Sequence, residues 1–213
     1  MAKKIFLTLS IIAFLASCGT RRSAAVVLDE SLTTDVGVVI DGVRWSTRNL
    51  GASGAFTLVP EQLGATFQWN RRHVKPRYSA LMGFRRDVSW WIRGTEWYVA
   101  NNPCPSGWRV PTYEELTALS RTRSEWVNQN GVYGRLFGFA PNQIFLPTRA
   151  VWTSAYMGDG HWGPSHFEGY RAVYWSSTPG RRGFSWRLLI SENNTGFNDF
   201  FRTMGMHVRC VAE

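Results

Sequence analysis

Lysine is nearly missing from this chain. Beyond Lys3 and Lys4 at the start, Lys75 is the only one, and every other cation is arginine. That leaves the planar guanidinium, which bonds carboxylate, sulfate or phosphate in pairs and stacks on aromatic rings. Cysteine is also scarce: there are three and no CxxC, so a thiol–disulfide exchange motif is absent. No GxSxG elbow occurs, which argues against a serine hydrolase of that type. No apolar run approaches the ~20 residues of a membrane-spanning helix. No repeat, heptad or low-complexity tract stands out, so solenoid and coiled-coil architectures are set aside.

What is present begins with MAKKIFLTLSIIAFLASCGT. A positive start at Lys3 and Lys4 precedes an apolar run from Ile5 to Ala16, the pattern of an export signal over residues 1–17. Leu15-Ala16-Ser17-Cys18 resembles a bacterial lipobox, which implies cleavage before Cys18 and lipid on that cysteine. Palmitate-type acyl chains would contribute about 0.8 kcal/mol per buried CH₂ to a stable outer-membrane anchor. An ordinary secretory signal with a chance cysteine is the alternative. Residues 18–33 then read as a lipidated tether. Arg21 and Arg22 stand where some surface-displayed lipoproteins carry acidic residues, so periplasmic or surface placement stays undecided.

Without residues 1–17 the chain keeps 22 cationic and 15 acidic side chains, a net +7. Eleven tryptophans accompany them. This composition in an exported protein points to an anionic or ring-shaped partner, such as acidic polysaccharide or an envelope protein surface. The same arginines also fit a plain solvated face. Nucleic acid suits the charge but not the compartment. No cofactor is expected.

About 195 residues suffice for one domain with a sizeable core, expected over residues 34–213. Asp41-Gly42 lies between Val38-Val39-Ile40 and Val43-Arg44-Trp45 and predicts a two-residue type I′ hairpin. Residues 63–72 look like a further strand or turn–strand unit. Residues 70–98 have the sharpest local composition: Arg71, Arg72, Lys75, Arg77, Arg85, Arg86 and Arg93 alternate with Tyr78, Phe84, Trp90, Trp91 and Trp97. Adjacent strand residues point to opposite faces, so one of Trp90 and Trp91 is a candidate for exposure.

Thr112 and Glu115 form a capping-box pattern, with Glu114 and Glu115 in the first turn and Leu116 and Leu119 on an inward face. A helix is expected near residues 113–121, its acidic residues explained by capping rather than catalysis. Residues 132–150 read as short strands and turns, and residues 169–179 as a strand followed by a polar turn. Residues 181–190 read as a strand with Phe184, Trp186 and Leu188 on one face. Residues 206–211 read as a closing strand with Met206, Val208 and Cys210 on one side. Short antiparallel strands around one or two helices make an α+β class.

With Cys18 assigned to lipid, Cys104 and Cys210 remain, most simply a disulfide in an exported protein. Closing so long a loop would stabilise by roughly 4–5 kcal/mol in the chain-entropy account. The run Pro103-Cys104-Pro105-Ser106-Gly107-Trp108-Arg109-Val110-Pro111-Thr112 resembles the signature of the Fibrobacter succinogenes major paralogous domain, a family of exported bacterial domains. Ile40-Asp41-Gly42 with Trp45, Arg48, Asn49 and Leu50 is similar to its opening. Gly64, Phe67 and Trp69, Leu146-Pro147 with Arg149, Tyr174-Trp175-Ser176-Ser177, and Val208-Arg209-Cys210-Val211 resemble its later blocks. The resemblance implies a C-type-lectin-like fold, no established enzymatic activity, and roles in adhesion or glycan binding. His207 replaces the family's usual serine, and the arginine-rich segment looks like a local elaboration.

Calcium-dependent C-type lectins use Glu-Pro-Asn or Gln-Pro-Asp and Trp-Asn-Asp. Here alanine precedes Pro141-Asn142 and phenylalanine precedes Asn198-Asp199, so that site is not expected. Asp159, His161, His166 and Glu168 are zinc-ligand types, but in a glycine-rich loop nothing fixes their geometry, and they read as a polar loop. Trp108, Trp175 and Trp186 read as core. The expected function is a non-enzymatic binding or adhesion module, with Arg71, Arg72, Arg85, Arg86, Trp90, Trp91 and Arg93 as ligand contacts. The alternative is a structural or assembly subunit of an envelope complex.

Overall fold

The computed structural model describes residues 30–73, 94–150, 154–157, 161–164 and 170–213. A short helix α1, Glu30–Thr33, precedes hairpin β1 (Val38–Ile40) and β2 (Val43–Trp45), then hairpin β3 (Leu50–Ala52) and β4 (Ala55–Phe56). A 3₁₀ turn at Val99–Asn101 leads to β5 (Trp108–Arg109) and helix α2 (Tyr113–Arg121). A meander follows: β6 (Ser124–Gln129), β7 (Val132–Phe139) and β8 (Asn142–Pro147). The remaining strands are β9 (Arg149–Ala150), β10 (Ser154–Met157), β11 (His161–Pro164), β12 (Tyr170–Pro179), β13 (Phe184–Ser191), β14 (Thr195–Phe201) and β15 (Val211–Ala212). Every ladder among the described residues is antiparallel, so the class is α+β.

Local chemistry accounts for the best-marked elements. Asp41 and Gly42 take φ of 48° and 79°, the left-handed pair a type I′ turn needs, and β1 pairs with β2 across them. Asn130 and Gly131, at φ 51° and 84°, do the same between β6 and β7. At α2, the Thr112 hydroxyl accepts from the Glu115 amide at 3.2 Å, and the Glu115 carboxylate accepts from the Thr112 amide at 2.8 Å. Arg109 closes a fork on the same carboxylate at 2.8 and 2.6 Å. Leu116 and Leu119 are buried beneath the helix.

Strands β12 and β13 sort their side chains into two apolar clusters, because alternate strand residues point to opposite faces. Ala172, Tyr174, Leu188 and Ile190 join Ile40, Trp45, Leu116, Leu119, Phe137, Ile144, Leu146 and Val211 in one. Trp175 goes to the other, with Leu50, Phe56, Phe67, Trp69, Trp108, Val110, Met206, Val208 and both bridged cysteines. Trp186 packs on Tyr113 of α2, ring centroids 4.7 Å apart. The central sheet β14-β13-β12-β9 is therefore covered on both faces.

The C-terminal segment binds the two halves of the chain together. Strand β15 lies between β2 and β5. Before it, Cys210 and Val208 accept from Ser46 and Leu50, Met206 bonds Phe67 both ways, and His207 exchanges bonds with Val173 and Trp175. Cys104 and Cys210 form a disulfide, with Cα atoms 6.2 Å apart.

Four segments differ from expectation. Residues 63–72 form no ladder; Phe67 makes one isolated bridge with Met206. Residues 132–150 are longer strands than short turns would give, since the eight-residue β7 pairs with β6 on one side and β8 on the other. Strand β12 continues through Ser176, Ser177 and Thr178 because buried Ser176 donates to the Trp186 carbonyl at 2.9 Å. In residues 206–211, Met206, Val208 and Cys210 do share one cluster, but only Val211 joins a named strand.

Candidate functional site

The described residues form the base from which the arginine–tryptophan segment springs. Trp69 is fully buried, and its indole donates to the Ser176 carbonyl at 3.0 Å. Asn70 follows at φ 54°, a left-handed conformation asparagine tolerates. Its side-chain oxygen accepts from the Tyr98 amide at 2.9 Å and the Asn101 side chain at 3.1 Å. Gly94, at φ 141°, sits so close that an added Cβ would meet the Asn70 side chain at 3.1 Å. The chain at residue 94 has thus returned to where it left at residue 70.

Arg202 locks that return. Its guanidinium lies 3.9 Å from the centre of the Trp69 ring, donates to the Gly94 carbonyl at 2.9 Å, and bonds Phe184 and Ser185 through Nε, each at 2.9 Å. Burial pulls its pKa below the ordinary arginine value. Trp97 packs edge-on against Trp69 at 5.7 Å. One cation, one aromatic pair and one asparagine therefore hold both ends of the segment on a buried platform.

A second stack lies on the same sheet face. Arg187 rests 3.8 Å from the centre of the Phe200 ring, and its Nε donates to the Asn198 side chain at 2.9 Å. Burial alone takes its pKa down to about 10, so it keeps its charge at neutral pH. On the opposite face Arg181 stacks on Phe184 at 4.5 Å and pairs with Asp199 at 2.9 Å.

Of the residues expected to contact ligand, Arg71 and Arg72 are exposed at the base, and Arg72 reaches the Ser53 hydroxyl at 3.3 Å. Arg85, Arg86, Trp90, Trp91 and Arg93 lie outside the described residues, as do Cys18, Asp159, His166 and Glu168. His161 belongs to β11. Among the described residues no group of histidine, cysteine and acidic side chains could hold a metal. No described helix is long and apolar enough to cross a membrane. Trp108 and Trp175 are buried in the core.

Arg187 and Arg202 escaped sequence reasoning. Arg202 lies about a hundred residues from the Gly94 it holds, and the β13–β14 hairpin sets Arg187 beside Phe200 on the same sheet. The run Phe197-Asn198-Asp199-Phe200-Phe201-Arg202, aromatic and charged at once, was the available signal.

Compared with protein-family models, with curated proteins and with solved structures, the chain matches none.

Proposed function

We propose that the chain is a non-enzymatic binding or adhesion module, lipid-anchored to the outer membrane, whose ligand is an anionic glycan. In this reading residues 71–93 are the binding segment. The observation that carries it is the closed base, in which Asn70, Gly94, Trp69 and Arg202 present a strongly basic, aromatic segment from a rigid platform. Rigid scaffolds displaying variable segments are a common design for recognition. Guanidinium groups would pair with sulfate or carboxylate while an indole stacks on a sugar ring. A C-type-lectin-like fold belongs to the same proposal. It is supported by the first and last described strands lying in one sheet, the one longer helix among the described residues and the disulfide near its start.

The test is binding of the full chain, in detergent, to an array of acidic and neutral glycans. The expected result is retention on acidic glycans, lost when Arg85, Arg86 and Trp91 are changed together to alanine. Unchanged retention would remove the segment as the site.

One observation favours a second reading, a subunit that docks another envelope protein. Tyr98 and Val99, beside the base, are 44% and 89% exposed. A stoichiometric protein partner recovered with the chain from membranes, and absent for a Val99→Asp variant, would support it.

A further inference from the structure

Arg187 has the chemistry of a site rather than of a scaffold contact. A guanidinium carries five N–H donors in one plane. Here one face rests on Phe200, and Nε is committed to Asn198. The terminal amino groups meet no acceptor among the described residues and are not sealed from solvent. The neighbouring acid on β14, Asp199, faces the other way and is taken by Arg181. A cation that is stacked, oriented and largely desolvated, yet has no carboxylate beside it among the described residues, has no counter-charge there. Other arginines of the scaffold are satisfied: Arg109 by Glu115, Arg48 by Asp35, and Arg209 by three oxygens.

We infer that Arg187 is an oxyanion subsite, binding a carboxylate or sulfate group end-on through its two terminal amino groups. The occupied Nε excludes the side-on fork, so the ligand's two oxygens lie along the outer edge of the guanidinium. The subsite adjoins the base of the arginine–tryptophan segment. Ser185, two residues from Arg187 on the same strand face, bonds Arg202, and Arg202 holds Gly94. The inference deepens the glycan reading and rests on it for the sugar, while the anion geometry belongs to β13 and β14.

The experiment titrates the full chain with a heparin-derived hexasaccharide, with oligogalacturonate and with inorganic sulfate. Binding is followed by the ¹⁵N signal of the Arg187 Nε–H and by affinity. The signal is expected to shift on binding, and Arg187→Gln is expected to weaken the oligosaccharides about tenfold or more. Arg187→Lys keeps the charge but not the two coplanar donors, so it recovers only part of the loss. Preference for heparin assigns sulfate, and preference for oligogalacturonate assigns carboxylate. An Arg187→Gln protein that unfolds normally yet binds with unchanged affinity overturns the inference. If that variant fails to fold, an unmoved Arg187 signal in the unaltered chain does the same. Loss of binding in the Arg85, Arg86 and Trp91 triple variant, with Arg187→Gln unchanged, leaves the glycan reading standing and the subsite overturned. The reverse pattern supports the subsite and removes the segment. An unaltered chain that binds none of the three probes overturns both.

Discussion

Arg209 brings a charge into the interior, where its hydrogen bonds all go to neutral oxygens: the Asn49 side chain at 2.8 Å, Ser46 at 2.9 Å and Phe145 at 2.7 Å. Burial takes its pKa to about 10, so the group stays charged at neutral pH at a desolvation cost the three bonds offset. Asn49 in turn donates to the Tyr174 hydroxyl at 3.1 Å, and Tyr174 donates to the Pro147 carbonyl at 3.0 Å. The network ties the first hairpins, the meander, β12 and the C-terminal segment at one point. Replacing Arg209 by methionine fills the volume but strands three acceptors. Each stranded acceptor costs about 1–3 kcal/mol, so a loss of about 3 kcal/mol or more is expected in urea unfolding. Arg209→Lys should restore only part, since one ammonium cannot span the three directions. A Met variant as stable as the parent would contradict this role. Nothing in Val-Arg-Cys-Val announced this: the cysteine drew attention, and the arginine's partners lie far off in sequence.

Helix α2 shows how far an element can be read locally. Its start, its capping box and its length follow from Thr112, Glu115 and the leucine spacing, all within nine residues. The fork from Arg109 was not foreseen; it requires β5 to lie beside the helix start. Burial raises the Glu115 pKa, but bonds from Arg109 and Thr112 outweigh it, and the carboxyl lies below its usual 4.5. A depressed folded pKa means the unfolded chain binds the proton more readily. The stabilisation is thus complete above about pH 4.5 and is lost as pH falls through the folded value. Glu115→Gln should cost about 1–2 kcal/mol at pH 7, and the gap from the parent should narrow as pH falls below 4.5. Urea midpoints across that acid range measure it; a gap independent of pH would assign the loss to packing. Hairpins β1–β2 and β6–β7 are equally local, set by Asp41-Gly42 and Asn130-Gly131. Residues 63–72 were not legible, because their backbone bonds go singly to Leu50, Met206 and Arg202 and build no ladder.

At the scale of the whole molecule, the 104–210 disulfide and the C-terminal segment do one job. They fasten the approach to α2 onto the last strand, inside the cluster around Trp69, Trp175 and Val208. Changing both cysteines to serine should cost about 2–5 kcal/mol and lower the thermal midpoint, with reductant then having no further effect. A parent protein insensitive to reductant in the same scan, with the bond shown cleaved, would contradict it. The sequence by itself determined what short-range chemistry controls: turns that need positive φ, the capped helix, the α+β class and an arginine-tryptophan segment of unusual composition. Two cysteines left after Cys18 also made a bridge the simplest pairing. Only the tertiary structure decided which distant groups meet. The sorting of β12 and β13 into two cores, the buried Arg209 network, and the fastening of Gly94 by Arg202 depend on partners well separated along the chain. The setting of Arg187 comes from the β13–β14 hairpin, and its open guanidinium acquires meaning only once β14 lays Asn198 and Phe200 against it. Local sequence fixes a residue's chemistry, but burial and partners, which turn chemistry into a site, are properties of the packed chain.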